Sequence, residues 1–245
     1  MEKANSVEFK VYGRYALFTD PLTKIGGEKF TYQIPTYQAL KGILESVYWK
    51  PTFIWIIDQV RVMKSIQTES QGIRPIHYQD AKNELSIYTY LRDVEYQVKA
   101  HFEWNEQRPE LVNDRNEDKH YQIAKRMIAR GGRRDIFLGT RECQGYVEPV
   151  RLGEDVSYYD GIDLDFGLMY HGLTYSDEAY NLETEGHMTA RFWSPKMKNG
   201  FIHFDRPEDC RIQRDLGVMK MKSFDENNFS GFMEFDKDGD LIELD

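Results

Sequence analysis

Polar and apolar residues alternate along parts of the chain in the way that predicts β-strands. The clearest alternation runs from 94 to 104, where every second residue is apolar: Val94, Tyr96, Val98, Ala100, Phe102 and Trp104. A period of two is typical of a strand with one buried face, so the intervening residues, including His101, are predicted to face solvent. Residues 7–11 alternate in the same way, and the apolar run 52–57 predicts a strand in the middle of a sheet.

The segment that follows Pro35 has the period of a half-buried helix. Thr36 is its predicted N-cap, and Lys50-Pro51 ends it, so that Tyr48 falls on its last turn. The apolar stripe consists of Leu40, Ile43, Leu44 and Val47.

A second helix is predicted between Asn116 and Gly131. Asn116 has the side chain of an N-cap, acids follow in the first turn, and Gly131 is suited to the C-cap. Its apolar stripe is predicted to be Ile123, Met127 and Ile128. Both limits of this helix are therefore marked by local signals.

With a short strand at 136–139, these elements give the order β, α, β, β, α, β. That order is the split βαβ pattern, so we predict an α+β protein in which residues 1–150 form a ferredoxin-like (RRM-type) domain. Short strand candidates separated by Gly, Asp, Asn and Pro predict a smaller β-rich domain at 151–222. Residues 223–245 contain eight acids and one lysine and are predicted to form an acidic tail.

The composition is that of a soluble globular protein, with a net charge of −9 over 245 residues. No run of about 18 apolar residues is present, and the first residues lack the apolar core of a signal peptide. We therefore expect a cytoplasmic protein with no membrane contact. Neither the two cysteines nor the histidines have the spacing of metal ligands, so no metal and no cofactor are predicted.

One segment reverses the charge of the chain. From Arg115 to Arg141 there are eight Lys or Arg against three acids, a local net charge of +5. Such a reversal indicates a surface that binds a polyanion. The candidate residues for binding a polyanion are Lys125, Arg126, Arg130, Arg133 and Arg134, together with Lys24 in a glycine-containing loop. Two other interpretations stay open, namely a solvated helix face for any single cation and an ion pair of Arg134 with Asp135 or Glu142.

His120 differs from the other histidines because of its neighbours. Lys119 precedes it, the cations described above follow it, and Tyr48 lies on the other predicted helix. In a ferredoxin-like layer the two helices pack side by side on one face of the sheet. Whether the ends that carry Tyr48 and His120 meet stays open at this point.

Several segments carry a family resemblance that spans most of the chain. They are FTDPLTKIGGEKFTY (18–32), PTYQALKGILESVYWKPT (35–52), YTYLRDVEYQVKAHFE (88–103), DRNEDKHY (114–121), GGRRDIFLGTRECQGYVEP (131–149) and RPEDC (206–210). In these segments the chain resembles the Cas5 family, subtype d, of type I-C CRISPR systems. The resemblance implies a metal-independent endoribonuclease that cuts the stem-loop of precursor CRISPR RNA. It also implies that the protein stays on the 5′ handle with the other subunits of the surveillance complex.

The catalytic Tyr, Lys and His of that family correspond to Tyr48, Lys119 and His120. Cleavage without a metal requires the 2′-OH to attack its own phosphodiester, leaving a 5′-OH and a 2′,3′-cyclic phosphate. His120 can then act as general base or acid, Lys119 can stabilise the developing negative charge, and Tyr48 can orient the 2′-OH or exchange a proton. Which of His120 and Tyr48 is the base stays open.

Two alternative functions are retained. The first is a non-catalytic structural subunit that binds the 5′ handle of the mature CRISPR RNA. The second is a metal-dependent activity on duplex DNA, either binding or cleavage, which a basic groove would support. No cluster of carboxylates with metal-ligand spacing stands near the basic segment.

Overall fold

The computed structural model describes residues 5–21, 23, 27–74, 85–180 and 184–220. Within these ranges the chain forms a nine-stranded sheet whose named strands all pair antiparallel, a three-stranded antiparallel sheet and two α-helices. The α+β class is therefore confirmed. Lys24 and the acidic tail lie outside the described residues. No helix among those described is long and apolar enough to cross a membrane.

The two helices both fall in the first 130 residues, and the strands extend over the whole described chain. In order, the elements are β1 (Val7–Ala16), α1 (Tyr37–Val47), β2 (Phe53–Val62), β3 (Thr68–Ile73), β4 (Ser86–Trp104), α2 (Glu117–Ala129), β5 (Ile136–Phe137), β6 (Gln144–Pro149), β7 (Leu164–Asp165), β8 (Met169–Thr174), β9 (His187–Trp193), β10 (Lys196–Lys198), β11 (Phe201–His203) and β12 (Ile212–Val218).

The main sheet has the strand order β5-β6-β1-β4-β2-β11-β10-β7, and β3 pairs with the first part of β4. The smaller sheet has the order β12-β9-β8. Strands from beyond residue 150 take part in the main sheet, because β11 pairs with β2 and places Ile202 opposite Val60. The division into domains at residue 150 stays a prediction.

The core lies between the main sheet and α1. The side chain of Thr36 caps this helix by accepting a hydrogen bond from the backbone N–H of Ala39 at 3.1 Å, as predicted. The whole predicted stripe of Leu40, Ile43, Leu44 and Val47 is buried. These residues pack against the alternating apolar face of β1 and β4, which includes Phe9 and Val98. The position of α1 on the sheet is therefore set by its own apolar stripe.

The prediction that the second face of β4 meets solvent was wrong. Gln97 and His101 on that face are only 1% and 3% exposed. Gln97 hydrogen-bonds to the backbone of Gly153 and Glu154, so chain from beyond β6 covers this part of the strand. His101 Nδ1 lies 2.9 Å from the carboxylate of Asp58 on β2. Polar residues on this face are buried because they find partners there.

The apolar stripe of α2 also differs from the prediction. The buried residues are His120, Ala124 and Ile128, whereas Ile123 and Met127 are half-buried. These buried residues are spaced by four, as expected for one face of a helix. The histidine belongs to the buried face of the helix, which is why it lies close to the sheet.

Candidate functional site

Tyr48 and His120 meet where the end of α1 approaches the start of α2. The backbone of Tyr48 is extended (φ −158°, ψ 124°), so this residue is the C-cap of α1. The prediction that it belongs to the last turn of the helix was therefore wrong. Its hydroxyl oxygen lies 2.8 Å from Nδ1 of His120. The two helix ends whose distance the sequence left open are therefore in direct contact.

His120 is enclosed by aromatic side chains and has no exposed surface. Its ring centroid lies 5.2 Å from that of Phe53, 6.3 Å from Phe102 and 5.9 Å from Trp104. These residues come from the start of β2 and the end of β4, which are paired in the sheet. The sheet therefore fixes the position of the imidazole.

The hydrogen bonds of His120 define the tautomer of the neutral ring. Nε2 lies 2.8 Å from the backbone carbonyl oxygen of Asp114. A carbonyl oxygen only accepts hydrogen bonds, so Nε2 must carry the hydrogen. In the neutral imidazole Nδ1 is then the acceptor, and the hydroxyl of Tyr48 donates to it. The phenol O–H therefore points at a basic nitrogen.

The environment of Tyr48 keeps its hydroxyl protonated near neutral pH. Burial raises the pKa of Tyr48 to about 12, the negative charge of Asp114 adds to this shift, and the positive charge of Arg133 opposes it. Only 4% of the tyrosine is exposed. A preformed phenolate is therefore a minor species, and the hydroxyl is suited to pass a proton.

Asp114 connects the parts of this site, and no sequence pattern predicted a role for it. It ends a 3-10 helix, Pro109–Asp114, and one of its carboxylate oxygens pairs with the ammonium group of Lys119. The other oxygen accepts a hydrogen bond from Thr52 Oγ1 at 2.8 Å. The hydrogen bond from Lys119 is the main reason that the pKa of the Asp114 carboxyl is lowered. The only available signal was its place at the start of the DRNEDKHY segment.

Lys119 is accessible to solvent, unlike Tyr48 and His120. Its side chain is 48% exposed, whereas His120 is fully buried and Tyr48 nearly so. The N-cap of α2 is Asn116, as predicted, and its side chain accepts from the backbone N–H of Lys119 at 3.0 Å. The first turn of the helix therefore holds the ammonium group at the surface, beside the buried pair.

The end of α2 turns back toward the same place. Gly131 and Gly132 have φ angles of 82° and 107°, which favour glycine, and the N–H of Gly132 bonds to the carbonyl of Met127 at 2.8 Å. This arrangement ends the helix after Ala129 and reverses the chain. The predicted C-cap at Gly131 is thus one residue beyond the observed cap, Arg130.

The reversed chain docks onto the last turn of α1. The backbone N–H of Arg133 donates to the carbonyl of Val47 at 3.2 Å, and that of Arg134 donates to Ser46 at 3.1 Å. These bonds satisfy carbonyl groups at the end of a helix, which have no partner inside it. Both arginine side chains are exposed. The loop therefore presents two cations beside Tyr48.

The other candidate RNA-binding residues of the described chain lie on the outer face of α2. Lys125, Arg126 and Arg130 are exposed, and Lys125 lies 5.3 Å from the ring centroid of Tyr121. Within the described residues no carboxylate lies within ion-pair distance of these three cations or of Arg133 and Arg134. The five cations are therefore available to a polyanion.

No group of three or more His, Cys, Asp or Glu side chains is placed to hold a metal ion in the part of the chain that the structure describes.

Comparison with known proteins gives consistent results. The family model for CRISPR-associated protein (Cas_Cas5) matches residues 6–205. Two curated relatives, from Mannheimia succiniciproducens and Thermus thermophilus, are both named CRISPR pre-crRNA endoribonuclease Cas5d. Each is 26% identical to this chain; the first alignment covers 81% of this chain and 94% of the relative, and the second covers 80% and 90%.

Two solved structures are more similar in sequence. One, described as the crystal structure of a CRISPR-associated protein, is 39% identical with a TM-score of 0.73 and covers 87% of this chain and 98% of its own. The other, described as the functionally uncharacterized protein SMU1763c from Streptococcus mutans, is 40% identical with a TM-score of 0.70. It covers 85% of this chain and 96% of its own.

Proposed function

The chain belongs to the Cas5 family of CRISPR-associated proteins, and on this premise we propose that it is an endoribonuclease that acts without a metal ion. It cuts the repeat stem-loop of precursor CRISPR RNA. It then stays on the 5′ handle, together with other subunits of a type I-C surveillance complex. The observation that carries the proposal is the hydrogen bond between Tyr48 and His120, with Lys119 and the exposed side chains of Arg133 and Arg134 beside it.

The fold supports a ferredoxin-like arrangement for the part of the chain that holds this site. The strand order β6-β1-β4-β2 is antiparallel throughout, α1 connects β1 to β2, and α2 lies between β4 and the β5–β6 pair. This is the order that a split βαβ repeat produces. We therefore propose residues 1–150 as the RNA-processing domain and 151–222 as a β-rich addition to it.

Tyr48 and His120 work as a proton relay in the proposed mechanism. The 2′-OH of the cut nucleotide gives its proton to the phenol oxygen of Tyr48, while the phenol proton moves to Nδ1 of His120. The freed 2′-oxygen attacks the adjacent phosphorus, and the bond from phosphorus to the 5′-oxygen breaks. Because Nε2 of His120 is held by the carbonyl of Asp114, the ring presents Nδ1 throughout. Tyr48 is then the group that meets the substrate.

Lys119 has two tasks in this scheme. Its exposed ammonium group stabilises the negative charge that develops on the phosphate oxygens in the transition state. It also supplies the proton with which the 5′-oxygen leaves as a 5′-OH. To reach the phosphate, the ammonium group has to exchange its contact with Asp114 for one with RNA. An exposed ion pair of this kind contributes only about 0.2–1 kcal/mol, so the exchange costs little.

The repeat RNA binds across the outer face of α2 and the loop that follows it. Lys125, Arg126 and Arg130 on the helix, with Arg133 and Arg134 on the loop, provide the phosphate contacts. The loop is fixed to the end of α1 through two backbone hydrogen bonds. Phosphates bound there are therefore held in a constant position relative to Tyr48. Lys24 is proposed as a further contact.

One observation favours a second candidate function, a non-catalytic subunit that only holds the 5′ handle. Tyr48 is 4% exposed and His120 is fully buried, so neither side chain offers much surface to RNA in this conformation. Catalysis requires a local opening at Tyr48. A buried tyrosine and histidine of purely structural role would require none.

Incubating the purified protein with repeat RNA in EDTA separates the candidate functions. The proposal predicts one specific cut that leaves a 5′-OH and a 2′,3′-cyclic phosphate. Binding without cutting would support the structural subunit. A requirement for added magnesium, or a preference for duplex DNA, would indicate the metal-dependent activity and refute the proposed mechanism.

A further inference from the structure

Five cations on α2 and on the loop after it form a basic surface that has no counterion in the described parts of the chain. Its members are all exposed: Lys125, Arg126, Arg130, Arg133 and Arg134. No carboxylate of those parts lies within ion-pair distance of any of them. Arg126 and Arg130 are four residues apart, where like charges on a helix repel each other. An anion bound across this surface removes that repulsion.

The acidic tail carries the opposite charge. Residues 223–245 contain eight acids and one lysine, which account for most of the chain's net charge of −9. Six of these acids fall within residues 234–245. The family model matches residues 6–205, so the tail lies outside the matched part of the chain. A partner of complementary charge for the basic surface is therefore present in the same chain.

The spacing of the tail acids fits the spacing of the cations on the helix. Asp236, Asp238 and Asp240 occupy every second position of the sequence. In an extended chain, every second side chain lies on the same side, about 6.4–6.8 Å from the last. Arg126 and the C-cap Arg130 lie four residues apart, which is about 6 Å along the helix axis. Successive acids of such a segment can therefore each meet one cation.

The tail is also long enough to reach the basic surface. The described residues end at Lys220, and an extended chain spans at most about 3.3–3.6 Å per residue. Asp240, twenty residues further on, can therefore lie up to about 66–72 Å from Lys220. A folded domain of about 220 residues is about 45 Å across, from its expected radius of gyration. The acids around Asp240 can thus reach α2.

We propose that the acidic tail binds the basic surface of its own chain and is displaced when repeat RNA binds. The ion pairs are exposed and individually weak, but a tethered segment acts at an effective concentration of about millimolar. RNA has to replace these pairs, so the tail lowers the affinity of the surface for RNA. The inference rests on the proposed function, since it names what regulates RNA binding at the same surface.

A zero-length carbodiimide crosslink tests the contact in the unaltered protein. The reagent joins a carboxylate to a lysine side chain only when the two groups touch, and Lys125 is the lysine of the basic surface. We expect peptides that join Lys125 to acids of residues 234–245, in a yield that dilution of the protein leaves unchanged. A yield that falls on dilution, with a product of twice the mass, would assign the tail to a second copy of the chain and overturn the inference.

The same crosslink should compete with RNA. A repeat RNA that carries a 2′-deoxy nucleotide at the cut is uncleavable, so it can be added at saturation without being consumed. This RNA should suppress the crosslink to Lys125, because both partners occupy the basic surface. A crosslink that persists at saturating RNA would contradict the displacement.

Lys198 is the matched control for the crosslink. It is exposed, as Lys125 is, but it lies on β10. In the main sheet, β1, β4, β2 and β11 separate β10 from β6, against which α2 packs. The tail should therefore crosslink to Lys198 much less than to Lys125. Equal yields at the two lysines would show a contact without preference for the basic surface, and the inference would fail.

Removing charge from the tail should strengthen RNA binding by the full-length protein. The triple variant Asp236→Asn, Asp238→Asn, Asp240→Asn loses half of the six acids within residues 234–245. It should bind uncleavable repeat RNA about threefold more tightly or better, since each exposed ion pair that is lost weakens the tail contact by about 1.4-fold or more. The gain should shrink as salt is raised, because exposed charges are screened. An affinity equal to that of the wild type at low salt would overturn the inference.

A second triple variant, Glu154→Gln, Glu185→Gln, Asp209→Asn, is the matched control for net charge. These three acids are exposed and lie outside the tail, and their replacement changes the net charge by the same amount. This control should bind RNA within about twofold of the wild type, since only the general attraction of the protein for a polyanion changes. Equal gains in the two triple variants would mean that net charge alone sets the affinity, and the inference would fail.

The crosslink without RNA separates this inference from the proposed function. A crosslink to Lys125 that dilution leaves unchanged supports the tail contact even if the protein cuts no RNA. Specific cutting in EDTA by a protein that shows no such crosslink refutes the tail contact and leaves the proposed function intact. A protein that shows neither the crosslink nor any binding of repeat RNA refutes both.

Discussion

Replacing Tyr48 with phenylalanine removes the hydroxyl that donates to His120 and changes little else in the buried site. Nδ1 of the fully buried imidazole then has no partner. A buried polar atom that loses its partner costs about 1–3 kcal/mol of stability. For a chain of this size each kcal/mol lowers Tm by about 2–4 °C. Tyr48→Phe should therefore fold, with a modest loss of stability.

The effect on RNA cleavage should be much larger than the effect on stability. Without the phenol, the 2′-OH has no group to which it can pass its proton, because His120 is buried behind the ring. Loss of a positioned proton-transfer group slows a reaction by about 10²- to 10⁴-fold. Binding of the RNA depends on the exposed cations and should stay within about twofold, since no charge is changed.

Single-turnover cleavage in EDTA, with saturating protein, measures the chemical step alone. Tyr159→Phe is the matched control, because Tyr159 is also buried and its hydroxyl accepts a hydrogen bond from the backbone N–H of Ile66 at 2.8 Å. This control should lose similar stability and cut at the rate of the wild type. If Tyr48→Phe folds, binds RNA and also cuts at that rate, the proton relay is refuted.

Three other predictions concern charged or titratable groups. Asp114→Asn frees the ammonium group of Lys119 and should raise the affinity for uncleavable repeat RNA about two- to fivefold, which corresponds to the free energy of an exposed ion pair. Weaker binding of this variant in a titration would contradict the prediction. The double variant Arg133→Gln, Arg134→Gln should lower the steepness of log K plotted against log salt concentration by about 1.4–1.8, because two phosphate contacts are lost. An unchanged slope across several salt concentrations would exclude phosphate contacts at these two residues. Burial lowers the pKa of His171 to about 3 in the folded chain, against 6.5 ordinarily, so the unfolded chain binds more protons between these two values. The contribution of the neutral histidine to the free energy of unfolding is therefore complete above pH 6.5. Below that pH it falls by about 1.4 kcal/mol per pH unit. Denaturant unfolding at pH 5 and 7 should show this loss in the wild type and a smaller one in His171→Gln, and equal losses would contradict the assignment.

Local patterns predicted the elements of the fold well. The cap at Thr36, the buried stripe of α1 and the alternation of β4 were all visible because they depend on residues close together in the chain. The burial of His101 was missed because its cause is distant in sequence. Its partner Asp58 lies 43 residues away, and periodicity carries no information about such a contact.

The site shows the same limit. Tyr48 and His120 were selected by resemblance and by neighbouring charge, but their contact across 72 residues follows from the way the sheet carries both helices. The role of Asp114 was not predicted, because a carboxylate near a lysine is common on protein surfaces. Only the structure shows that its backbone carbonyl fixes the imidazole and its side chain holds the ammonium group of Lys119.

A single 2′-deoxy substitution at the cut position tests the central claim most directly. If the 2′-OH is the nucleophile that Tyr48 and His120 activate, this RNA should bind with nearly the affinity of the unmodified repeat and remain intact in EDTA. Cleavage of the deoxy substrate at the normal position would contradict the account, because attack would then have to come from another nucleophile.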